Sequence, residues 1–111
     1  MEILKKSNFD IITPFCPKLD KQTSSSLFAY IENEKKDIAL NLDYVSDCTI
    51  DFIEELKKMA SNKKIGVFNI SSDIFALFNL MKIDKTISLY VTDVDFEEDK
   101  HQLINRSFSI I

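Results

Sequence analysis

Short strand-like runs alternating with helix-period segments constrain this chain more than any other feature. In "DIALNL", Ile38, Leu40 and Leu42 alternate, with the small Ala39 on the other side, the pattern of a strand buried on at least one face. Behind Thr49, a residue suited to cap a helix, Ile53, Leu56, Met59 and Ala60 stand at helical spacing. "KIGVFNI" reads as a strand. "SSDIFALFNLMKI" reads as a helix with a Ser71 cap and a core-facing stripe of Ile74, Leu77, Phe78 and Met81. "TISLYVTD" is a last strand, with Ile87, Leu89 and Val91 alternating, and a final helix is expected from about Val94 to Asn105. Strands and helices in this alternation form a mostly parallel sheet joined by right-handed crossovers.

The N-terminal part opens differently. "MEILKK" and "FDIITPFC" are two strand candidates separated by a turn at Ser7–Asn8. Pro14 cannot donate a ladder hydrogen bond, so the second strand is expected at a sheet edge or with a bulge. A helix follows from about Thr23 to Asn33, with Leu27, Phe28 and Ile31 on one face and a ragged, serine-rich start. The expected order is β-β-α-β-α-β-α-β-α in a single domain over 1–111, with about five strands and about four helices.

Several function classes are excluded by what is missing. The net charge of −4 comes without a basic stripe, because the lysine pairs stand beside acids, and this argues against a nucleic-acid binder. The chain has one glycine, Gly66, and so has no phosphate-cradling loop of the common nucleotide-binding types. No apolar run approaches the roughly 20 residues of a membrane span, and "MEILKKSNFD" lacks the apolar core of a signal peptide, so the expected location is the cytoplasm. Cys16 and Cys48 lie far apart and read as two reduced, partly buried thiols. The lone His101, in "EEDKHQ", reads as a solvated helix residue without partners for a metal site, and no cofactor is expected.

The order and several strings together resemble the STAS domain, the fold of bacterial anti-sigma factor antagonists. "LD" at Leu19–Asp20 is similar to that family's step before its first helix. "IALNLDYVS" is similar to its central strand, which ends in a small hydroxyl residue. "VFNISSDIFALFNLMKID" is similar to its next strand, serine cap and third helix. The resemblance runs from about Met1 to Asn105 and implies a STAS-like α/β fold with a mixed sheet. It also implies a non-enzymatic module that binds an anti-sigma factor, itself the kinase that phosphorylates a hydroxyl in an Asp-Ser-Ser/Thr-Gly-Leu loop.

Aligned without a gap, "TIDFI" falls on that loop. Thr49 takes the place of the capping acid, Ile50 the first hydroxyl, Asp51 the phosphoacceptor, Phe52 the glycine and Ile53 the leucine. A rival alignment with a two-residue gap sets "DCT" on the triplet and makes Thr49 the acceptor. The ungapped version keeps Ile53, Leu56 and Ala60 inward. The gapped one turns Asp51 to the core, where an unpaired carboxylate costs several kcal/mol. Asp51 carries one charge, a phosphoserine nearly two, so the acid is a weak, permanent imitation of the modified state. In the bland reading it simply complements a helix start.

The expected partner-binding residues are Cys48, Thr49, Asp51, Phe52 and Phe75. Phe52 and Phe75 are read either as exposed aromatic anchors near one helix mouth or as residues packed at the edge of the core. Cys48 is read either as a thiol activated by the helix start or as a structural one. Thr49 with Asp51, and Asp93 with Asp95, are the paired groups an enzyme would need, but no histidine or cysteine stands ready to activate a nucleophile. Two functions remain open: a regulatory module resembling an anti-sigma factor antagonist, not phospho-switched, or a STAS-like accessory subunit of a transporter ATPase or a stress-signalling scaffold. Homo-oligomers are compatible with both, and the apolar tail "RSFSII" either packs back or marks an interaction site.

Overall fold

The structure is a computed structural model that describes residues 1–83 and 87–90. Its five-stranded sheet has the order β1 (Glu2–Lys5), β2 (Phe9–Thr13), β4 (Asp37–Asn41), β6 (Ile65–Phe68), β7 (Ser88–Tyr90). β1 runs antiparallel to β2, and the other pairings are parallel, so the sheet is mixed. Helices α1 (Ser25–Asn33), α2 (Ile50–Met59) and α3 (Ser72–Leu80) join the parallel strands in turn. Each crossover steps one place in the same direction across the sheet, so the right-handed rule sets all three helices on one face.

Strand alternation and helix stripes meet in that layer. Ile12, Ile38, Leu40, Ile65, Val67 and Leu89 from the sheet join Leu27, Phe28, Ile31, Ile53, Leu56 and Phe78 from the helices in one buried cluster. Phe9, Ile11, Ala39, Phe68 and Tyr90 point to the opposite face and form a second buried cluster. Most of the expected elements occur, and the differences have local causes. Pro14 stands just past the last pair of β2, whose Thr13 lies across from Glu2, and β2 is an interior strand. The proline ends the strand; it needs neither an edge nor a bulge. The central strand stops at Asn41, well before Ser46, because the Asn41 side-chain oxygen accepts from the Asp43 N–H (3.1 Å) and turns the chain.

α1 begins at Ser25, two residues later than expected. Asp20 and Thr23 close a reciprocal loop ahead of it: the Thr23 N–H donates to Asp20 Oδ1 (2.7 Å) and the Asp20 N–H to Thr23 Oγ1 (3.0 Å). The Thr23 N–H and, at 2.9 Å, the Thr23 hydroxyl both donate to Asp20 Oδ1 and hold the Asp20 carboxyl below its ordinary range. The Glu54–Lys58 pair expected on α2 does not form; Lys58 meets Glu55 at 3.7 Å. A second sheet was not legible at all: β3 (Lys18–Leu19) pairs parallel with β5 (Asp47–Cys48). Val91, the helix expected over 94–105, Asp93, Asp95, His101 and the apolar tail lie outside the described residues.

At the lower end of the sheet, where the parallel strands begin, Asp10 is fully buried on β2. Lys36 Nζ lies 2.6 Å from its Oδ1, and the Tyr30 hydroxyl donates to its Oδ2 at 2.6 Å. Burial alone would raise this carboxyl; the bonds from Lys36 and Tyr30 outweigh it and hold it below its ordinary value. The same bond to Asp10, helped by burial, pushes the Tyr30 phenol upward. Nearby, the Lys63 ammonium donates to the carbonyls of Ile31 and Glu34 and closes the last turn of α1.

Candidate functional site: the mouth of α2

All three helices start at the upper end of the sheet, where the parallel strands finish, the usual place for a site in an open α/β fold. A chain of side chains ties those strand ends together. Asn69, at a positive φ of 56°, donates through its amide to Asn41 Oδ1 (3.0 Å), and the Asn41 amide donates to Thr13 Oγ1 (3.2 Å).

The loop from Leu42 to Thr49 is fastened from two sides. The Ser46 N–H and hydroxyl both donate to the Pro17 carbonyl, at 2.9 and 3.0 Å, and the Thr49 N–H donates to the Leu19 carbonyl at 2.9 Å. From the other side the Ser71 hydroxyl donates to the Ser46 carbonyl (3.2 Å) while accepting from the Ile74 N–H (3.2 Å). One serine thus caps α3 and anchors the loop that leads into α2. Thr49 caps α2 itself: its backbone is extended, and its hydroxyl oxygen accepts from the Phe52 N–H at 3.3 Å.

The register of α2 is the one that turns Ile53 and Leu56 inward and Asp51 outward. Asp51 is exposed in the first turn and borders a shallow depression with Lys21, Glu54 and Lys58. Phe52 is not an exposed anchor. Its ring is fully buried, 5.4 Å from that of Phe28 on α1, and joins the two helices across the core. At the position that the ungapped alignment gives to the loop's glycine, the chain has a core aromatic. Phe75 is half-buried and packs against the same core, so the core-edge reading fits Phe75, whereas Phe52 lies deeper, inside the core. Cys48 is only 5% exposed; burial, aided by Asp47, pushes its thiol up to about 12, and it offers no activated nucleophile. Cys16 is half-buried, and its thiol donates to the Lys18 carbonyl at 3.0 Å.

The exposed apolar groups at this end are different ones. Ile50, the first residue of α2, is 54% exposed. Phe15 and Tyr44, which follow the upper ends of β2 and β4, are 56% and 57% exposed and meet edge to face with centroids 5.1 Å apart. Below Phe15 an open cleft of about 490 Å³ is lined by Met1, Cys16, Leu19, Thr23 and Leu27. Phe15 and Tyr44 escaped sequence reasoning because both sit in connections, where no periodicity marks a side chain as outward. Their one signal was a large aromatic inside a turn-rich string, "TPFCP" and "LDYVS". The burial of Phe52 did have a signal, since Phe52, Leu56 and Met59 stand at i, i+4 and i+7.

The order of strands and helices is that of a STAS-like α/β fold. No protein-family model matches the sequence, and no curated protein does. A solved structure matches closely in shape: the crystal structure of a "putative anti-sigma factor antagonist" from Thermotoga maritima superposes with a TM-score of 0.74 over 88% of this chain and 92% of that chain. The two are 14% identical, so the likeness establishes the fold. No described helix is long and apolar enough to cross a membrane.

Proposed function

We propose that this chain is a non-enzymatic regulatory module of the cytoplasm that docks an anti-sigma factor, or a signalling protein built like one, through the mouth of α2 without a phosphorylation switch. The carrying observation is the first turn of α2. In the ungapped alignment the exposed Asp51 takes the acceptor's place, beside an exposed Ile50, while Thr49, the acceptor of the rival alignment, is half-buried and its hydroxyl serves as the helix cap. A fixed carboxylate beside an apolar residue presents the partner with the same surface at all times. Ile50, with Phe15 and Tyr44 on the same end of the sheet, supplies the apolar contact first sought in Phe52. Aromatic and aliphatic anchors of this kind carry most of the energy in protein interfaces. The loss of the acceptor hydroxyl also favours a second reading, an accessory subunit of a transporter ATPase or a stress-signalling scaffold.

The test is incubation of the chain with an anti-sigma factor kinase from its own organism and labelled ATP, followed by isolation of the complex. A stable complex without label is expected, and Ile50→Lys should abolish it while leaving the fold intact. Label at Thr49 would overturn the fixed-surface reading. Recovery of a transporter ATPase in place of the kinase would move the assignment to the second reading.

A further inference from the structure

β1 is an outer strand of the sheet among the described residues, bonded to β2 along one side only. The phase of that ladder follows from one bond. The Lys6 N–H donates to the Phe9 carbonyl at 2.9 Å, and residues 6 and 9 continue the register that sets Leu4 across from Ile11 and Glu2 across from Thr13. Antiparallel ladders alternate, so Glu2 and Leu4 turn their backbone groups toward β2, while Ile3 and Lys5 turn theirs outward. Side chains alternate too. Leu4 shares the sheet face of Ile11, away from the three helices, and is 50% exposed. Ile3, across from Ile12, lies on the helix side and packs against the main core.

We infer that this edge pairs antiparallel with the same edge of a second copy of the chain, about a two-fold axis between the two Leu4 residues. An axis perpendicular to the sheet keeps each face continuous, so residues that meet must point to the same face. In the register centred on Leu4, Ile3 stands opposite the second copy's Lys5, and these are the residues whose N–H and C=O already face outward. Leu4 meets Leu4 on the axis. Glu2 meets the second copy's Lys6, and the same pair recurs at the other end by symmetry. A register shifted two residues one way sets Lys5 against Lys5, and one shifted the other way sets Glu2 against Leu4. Like charges directly opposite destabilise a strand pair and opposite charges support it, so the charges of "EILKK" select the Leu4-centred register. The backbone bonds and the leucine contact supply the affinity; exposed ion pairs contribute little. The occupant fits by self-complementarity, as an isologous contact requires.

The experiment uses the full chain with Cys16→Ser, leaving Cys48 buried. Leu4→Cys in this background is placed in a glutathione redox buffer beside Leu80→Cys, an exposed control on α3. Non-hydrogen-bonded antiparallel partners have Cα atoms about 4.5 Å apart, within disulfide range, so Leu4→Cys should form cross-linked dimer at least about tenfold faster than the control. In sedimentation the wild type should be a dimer that dissociates on dilution. Lys5→Pro removes an outward N–H, spares the ladder to β2, and should give a folded monomer with an unchanged circular dichroism spectrum. Glu2→Lys should weaken the dimer, and Glu2→Lys with Lys6→Glu should restore it. Cross-linking no faster than the control overturns the inference. So does a wild type that sediments as a monomer at every concentration, the result expected if the charges of β1 merely protect the edge or if another protein's strand occupies it.

Discussion

The two ends of the sheet handle polar groups in opposite ways. At the lower end the buried Asp10 carboxylate is held by the Lys36 ion pair and the Tyr30 hydroxyl, and Lys63 donates its ammonium to the carbonyls of α1. At the upper end the hydroxyls of Thr49, Ser46 and Ser71 and the amides of Asn41 and Asn69 hold backbone in place, while Asp51, Ile50, Phe15 and Tyr44 face water. The lower end locks α1 onto the sheet. The upper end uses its bonds to position a loop and a helix start, and leaves apolar side chains exposed. A substitution below should therefore be read in stability, and one above in binding.

Phe52→Ala should break this division first, because the residue sits in the upper half yet belongs to the core. Loss of about 4 kcal/mol in urea unfolding is expected, the range for a buried aromatic cut to alanine. If stability is unchanged and only partner binding falls, the ring is not in the core. Asp10→Ala should cost about 2 kcal/mol, below the roughly 3–5 of a fully buried pair, because Lys36 keeps part of its side chain in water. The pH dependence has a fixed sign. The folded-state value of Asp10 is depressed, so its contribution is complete above the ordinary carboxylate range near 3.9 and is lost as pH falls through and below that range. The folded-state value of Tyr30 is raised, so its contribution is complete below about 10 and is lost as pH climbs further. Wild-type stability should therefore fall at both extremes, and the acid limb should flatten in Asp10→Ala.

Smaller effects sharpen the contrast. Thr49→Ala removes the cap of α2 and should cost about 1 kcal/mol by the same unfolding measurement. Ile50→Ala should change stability by less than about 0.5 kcal/mol, as exposed positions do, yet lower partner affinity about tenfold in calorimetry. An Ile50→Ala chain that binds its partner as tightly as wild type would remove this residue from the docking surface.

Legibility followed periodicity. The capped helices after Thr49 and Ser71 were readable because helical spacing and a hydroxyl cap agree at both. The inward register of Ile53 and Leu56 was readable because the alternative buries Asp51. What misled was the single position, Phe52, that the ungapped alignment sets on the resembled loop's glycine. A large residue there was taken as a candidate for the surface, although its spacing to Leu56 pointed inward. The two-residue strands β3 and β5 are too short to carry any period, and their pairing depends on the Pro17 and Leu19 carbonyls meeting a loop about thirty residues away in sequence.

The sequence by itself determined the alternation of elements, the parallel part of the sheet, the caps of α2 and α3 and the outward place of Asp51. Each of these is a local choice repeated at a fixed spacing, and burial rewards only one phase of it. Tertiary structure alone decided that Asp10 ionises inside the core, that Phe52 reaches Phe28, and that Phe15 meets Tyr44 beyond the strand ends. These contacts join residues distant in the chain, and their free energy depends on what the fold brings opposite them.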